Sequence, residues 1–142
     1  MDHPVTGDRW CGVSGRFATH NGAPVRVRPC ATMEDAFVTC SNPDFMSPTD
    51  QARFAQLRQR ARYVQYGGSC FAYGVLASGQ TDLAVDGGLD PFDVYACAAV
   101  IEGAQGSFTD WQSAPLSFEM AGTVIAAGDP SRLAEALSLL AD

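Results

Sequence analysis

The sequence predicts a layered α/β protein. A mixed sheet flanked by helices is expected over residues 31–142, preceded by antiparallel strands over residues 1–30. Three observations lead there. After Pro29, short apolar runs alternate with helical patterns, the signature of α/β layering. The helical patterns open behind Ser47-Pro48, Gly67-Gly68-Ser69, Asp90-Pro91 and Asp129-Pro130, each a recognised helix start. Before Pro29 the chain instead shows extended pieces broken by Gly and Asn.

Those pieces cover residues 9–13, residues 15–22 and residues 24–27. Asn21-Gly22 between extended runs is a hairpin signal. Two or three such strands cannot make a stable sheet alone. Residues 36–40 read as the first strand of the α/β region. Ser47-Pro48-Thr49-Asp50 then supplies a capping hydroxyl, a Pro at the first helical position and an acid at the third. Its helix carries Phe54, Leu57 and Ala61 at core spacing, with Arg53, Arg58, Arg60 and Arg62 as solvated positions. Residues 63–66 form a short strand. Gly67-Gly68-Ser69 opens a helix over residues 70–78 that Gly79 stops. A strand at 81–85, the Asp90-Pro91 helix, a strand at 107–111 and a turn at 113–115 follow. Residues 123–127 are the last strand. Leu133, Leu137 and Leu140 stripe the final helix.

The bulk composition narrows function. With 142 residues and 46% hydrophobic content, the chain can bury one core and is not disordered. A net charge of −7 argues against nucleic acid or an anionic membrane as partner. No apolar run approaches the ~20 residues of a membrane span. Five cysteines stand singly, with no pair at zinc-site spacing. An odd count without a secretory leader leads us to expect reduced thiols and a cytoplasmic protein.

Candidate chemistry concentrates at three places. Asp93 falls in the first helical turn after Asp90-Pro91. It suits a helix-dipole role worth about 0.3–1 kcal/mol and also one carboxylate ligand of a magnesium ion. Gly68 and Ser69 suit a Gly-rich turn with a Ser cap, or a helix start whose N–H groups hold an anion. Asp86 ends a strand before Gly87-Gly88 and suits a loop acid or an acceptor for substrate hydroxyls or an amine. The residues alone leave each pair of readings open. His3 and His20 read as surface or structural, and Glu102 and Asp110 as solvated or helix-end acids.

The stretches Gly88-Leu89-Asp90-Pro91-Phe92-Asp93 and Glu102-Gly103-Ala104-Gln105-Gly106 resemble the second signature of the inositol-monophosphatase-like phosphatases, most closely the histidinol-phosphate phosphatases. Similar support comes from residues 2–10, residues 15–25, Gly67-Gly68-Ser69-Cys70 and Trp111-Gln112-Ser113-Ala114-Pro115-Leu116. The resemblance implies the C-terminal layered domain of that fold, with residues 1–30 as strands of its N-terminal sheet. It implies a Mg2+-dependent hydrolase of a small phosphorylated substrate, histidinol phosphate or an inositol phosphate. Asp93 would be a metal ligand, and Gly68, Ser69 and Asp86 would face the substrate. Asp86 stands where that family has a longer Glu, and Gln105 and Ser113 stand where it has Gly. The family's Asp-Pro-Ile/Leu-Asp-Gly-Thr metal motif does not occur here. The expectation is therefore a chain inactive by itself, forming a homo-oligomer or associating with a missing N-terminal half. A non-catalytic, anion-binding homologue is the alternative.

Overall fold

A computed structural model describes residues 1–119 and 122–141. Four short strands, β1 (Asp2–His3), β2 (Asp8–Val13), β3 (Phe17–His20) and β4 (Ala23–Pro24), form an antiparallel sheet in sequential order. The Asn21-Gly22 turn joins β3 to β4, and both residues have positive φ. The alternation expected after Pro29 is present. It runs β5 (Phe37–Cys40), α1 (Pro48–Arg60), β6 (Tyr63–Tyr66), α2 (Ser69–Ala77), β7 (Leu83–Asp86), α3 (Pro91–Gly103), β8 (Ser107–Asp110), β9 (Val124–Ala127) and α4 (Pro130–Ala141). Asp142 and residues 120–121 lie outside the described residues.

The second sheet is mixed, in the order β6-β5-β7-β9-β8. β5 pairs parallel with β6 and β7, while β9 runs antiparallel to both β7 and β8. β6, β5 and β7 therefore all leave the sheet at one end. At α1 the Ser47 hydroxyl accepts from the Asp50 N–H at 3.2 Å, the cap its sequence calls for. Ala61 follows the helix rather than belonging to it. Asp129 Oδ1 accepts from the Ser131 N–H at 2.8 Å and starts α4 in the same way.

The five-stranded sheet has apolar material on both faces. Leu83, Val85, Ile125 and Ala127 pack with Phe54 and Leu57 of α1 and Ala136 and Leu140 of α4. Ala84, Val124 and Ala126 pack on the other face with α2 and α3. This cluster also takes in Trp10 and Ala18, so the four-stranded sheet is fastened to the outside of α2 and α3. The contact is close because Gly12 has no side chain. A Cβ there would stand 2.6 Å from Val100 Cα of α3.

Candidate active site

The strands that leave the sheet together deliver the candidate residues. Ser41 follows β5, Gly68 and Ser69 follow β6, and Asp86 ends β7. α3 departs shortly afterwards and carries Asp93 in its first turn. Ligand sites of open α/β sheets form at such strand ends. Here a cavity of about 510 Å³ is lined by Ser69, Asp86 and Asp93 together, with Ser41 and Tyr73 beside them. Gly68 lies just outside the lining, as the residue before α2.

The start of α2 differs from the Ser cap that its sequence suggests. Gly68 is the capping residue, in the left-handed region at φ 95°, and no side-chain cap bond is made. Ser69 is already the first helical residue, with an unusual φ of 44°. With two positive-φ glycines before it, the chain turns too sharply for the hydroxyl to reach back over the helix end. The Ser69 hydroxyl thus makes no cap and lines the cavity.

Asp93 does serve its helix. Its Oδ2 accepts from the Asp90 N–H at 3.2 Å, the return half of a capping arrangement. The residue is nonetheless exposed, and its Oδ1 receives no hydrogen bond from the described residues. One hard-cation ligand position is therefore compatible with the helix-end role. Among the described residues, no group of three or more His, Cys, Asp or Glu side chains is placed to hold a metal ion. Magnesium needs about six oxygen ligands, so this chain fits one corner of such a site and not the whole.

Asp86 is only 3% exposed, which changes how it must be read. A buried carboxylate requires donors. It has them: the Ser41 N–H at 2.6 Å, the Ser41 hydroxyl at 3.1 Å and the Tyr73 hydroxyl at 2.7 Å. Burial pushes its pKa up, and these bonds oppose the shift. A carboxylate offers about four acceptor positions, and with the Cys40 thiol also donating, protein groups occupy most of them. Burial likewise raises the Tyr73 hydroxyl, well above its ordinary value.

Ser41 and Tyr73 line the same cavity, and the sequence did not disclose them. An acid closing an all-apolar strand signals that partners exist. Their identity, 45 and 13 residues away, does not show in local pattern. Asp110 also departs from its sequence reading as a solvated or helix-end acid. It is buried and holds the following turn, with Oδ1 accepting from the N–H groups of Gln112 at 2.9 Å and Ala114 at 2.7 Å. His20 is structural as expected, stacked on Trp10 at 4.3 Å and bonded to Asp8 at 2.7 Å.

An α/β scaffold that gathers a helix start, a buried acid and an exposed acid at one sheet end belongs to the class of folds that form ligand pockets at their strand ends. Within that class the chain belongs to the inositol monophosphatase family, whose sequence profile matches residues 1–141. It is 33% identical over 147 aligned positions to the bifunctional phosphatase IMPL2, chloroplastic, of Arabidopsis thaliana, covering 99% of this chain and 42% of that protein. It is 28% identical over 113 positions to a histidinol-phosphatase of Chlorobaculum parvum, covering 79% of this chain and 44% of that one. An inositol monophosphatase structure from Zymomonas mobilis superposes with a TM-score of 0.96 at 33% identity, over 99% of this chain and 56% of the other. The chain thus spans about half the length of the relatives it matches. Among the described residues, no helix is long and apolar enough to cross a membrane.

Proposed function

We propose that this chain forms part of the site of a Mg2+-dependent phosphate-monoester hydrolase acting on histidinol phosphate or a closely related small ester. One observation carries the reading: Ser69, Asp86 and Asp93, singled out separately in the sequence, line one cavity at the end of three parallel strands. Family membership supports the reaction type. The name of one relative, a histidinol-phosphatase, supports histidinol phosphate as the substrate.

Each residue has a distinct task. The backbone N–H groups at Gly68 and Ser69 receive phosphate oxygens at the positive end of α2. Asp86, on the cavity wall, faces the alcohol part of the substrate. Asp93 contributes one carboxylate to magnesium, which when bound neutralises charge on the phosphoryl group and acidifies water. The other ligands come from the complementary half of the family fold, outside residues 1–142. Free thiols at all five cysteines support a reducing compartment such as the cytoplasm.

A second reading is a non-catalytic anion-binding homologue. The engagement of Asp93 with its own helix start, through the Asp90 N–H, favours it. Phosphate release from histidinol phosphate, with and without magnesium, separates the two. The 142-residue chain alone should give negligible turnover. Activity should appear when a complementary family half is supplied, and Asp93→Asn should abolish most of it. Activity that ignores Asp93→Asn would overturn the assignment. Sequencing the coding DNA upstream of the Met1 codon offers a cheaper discriminator, because an in-frame Asp-Pro-Ile/Leu-Asp-Gly-Thr run supports the hydrolase.

A further inference from the structure

We propose that Tyr73 is a positioning residue of the site, fixing through Asp86 the distance between the start of α2 and the start of α3. The inference rests on reading Ser69 and Asp93 as site residues. Tyr73 is one helical turn beyond Ser69 on α2 and is 3% exposed. Its hydroxyl donates to Asp86 Oδ2 at 2.7 Å. Asp86 is the last residue of β7, from which the chain leads directly into α3 and Asp93. The same carboxylate accepts from the Ser41 N–H and hydroxyl, beyond the end of β5. One acid therefore ties together a helix and two strand ends, and those elements carry or lead into the candidate ligand groups that line the cavity.

Apolar packing cannot fix this spacing as well. Besides Tyr73, α2 buries Ala72, Leu76 and Ala77 by apolar contact, and its Gly74 lies against the Trp10 ring, contacts that carry no direction of their own. A hydroxyl–carboxylate bond is directional, and a buried one is costly to break. Ring packing also leaves the hydroxyl no alternative. Tyr73 stacks on Phe108 with centroids 5.5 Å apart, so Tyr73→Phe preserves the packing and removes only the bond.

The test uses the 142-residue chain. A nitroxide on the exposed thiol of Cys70, in a Cys11→Ser background, reports on the α3 start through paramagnetic broadening of the Phe92, Asp93 and Val94 amides. Tyr73→Phe should shift those relaxation rates while leaving α4 unchanged. Tyr95→Phe, which removes a hydroxyl on α3, should leave them at wild-type values. In unlabelled protein with magnesium, inorganic phosphate should shift the Ser69 and Cys70 amides. Tyr73→Phe should weaken that binding at least about fivefold. Ser41→Ala should act in the same direction and serves if Tyr73→Phe does not fold. Wild-type relaxation rates and phosphate affinity in a folded Tyr73→Phe protein would overturn the proposal. A wild-type chain with no phosphate response would sink the reading of the α2 start, and the relaxation rates would then decide the spacing claim alone.

Discussion

At the scale of single residues, burial decides which groups are available for chemistry. Burial pushes the thiols of Cys40 and Cys97 up to about 12. Cys30 is also raised and buried, whereas Cys11 and Cys70 are exposed. A thiol-reactive disulfide reagent at pH 8 should modify Cys11 and Cys70 rapidly and the other three only on unfolding. Fast reaction of all five would mean that both faces of the sheet open in solution, since Cys97 packs on the α2–α3 side and Cys30 and Cys40 on the other. Asp86 makes a pH prediction of definite sign. Its folded pKa is raised above 3.8, so the folded state holds the proton more tightly than the unfolded chain. Its contribution to stability should therefore grow as pH falls from neutral through the raised pKa, and level off below 3.8. The half-buried Asp8 and the exposed Glu34 are lowered and oppose this on the acid side. Carbon-detected titration of the Asp86 carboxyl checks the direction, and a midpoint below that of Asp in a model peptide would refute it.

At the scale of elements, helix starts and close approaches carry the stability predictions. Gly12→Ala should separate β2 from α3, because the new methyl meets backbone at Val100 and Ala99. Overpacking of this kind costs about 1–3 kcal/mol, to be read from urea unfolding. Gln105 and Ser113 have φ of 69° and 62°, a region where L side chains are strained. Gln105→Gly should then be neutral or gain about 0.5–1 kcal/mol, and a clear loss would show that the Gln side chain has a role of its own. These two residues stand where the family resemblance places glycines, so the strain was legible in the sequence. The helix starts at Pro48, Pro91 and Pro130 were legible too, since Ser-Pro and Asp-Pro pairs act locally. Strand order was not. Nothing near residues 124–127 reveals that they pair with β7 on one side and β8 on the other. The true cap at Gly68 escaped for a similar reason, because Ser is the better capping residue by type and only the two preceding left-handed turns exclude it.

At the scale of the whole molecule, the four-stranded sheet is short, open at both edges and fastened on one face only. Val13 and Phe17 are exposed at its outer side. Unpaired edges and uncovered apolar side chains promote association, so the purified chain should dimerise or aggregate. Sedimentation showing a stable monomer at high concentration would contradict this. The position of β9 has a consequence for how the molecule is made. All four of its residues are buried, and it fills the gap between β7 and β8, yet it is the last strand in the chain. A nascent polypeptide with residues 1–110 already outside the ribosome would still hold a three-stranded fragment, β6-β5-β7, and a β8 segment without its partner. The pocket floor at Asp86 would lack its neighbour on that side until Val124 emerged. During synthesis the molecule therefore passes through a long interval in which its central seam is open to chaperones, proteases and other copies of itself. A stop codon anywhere before that strand would leave the seam open permanently.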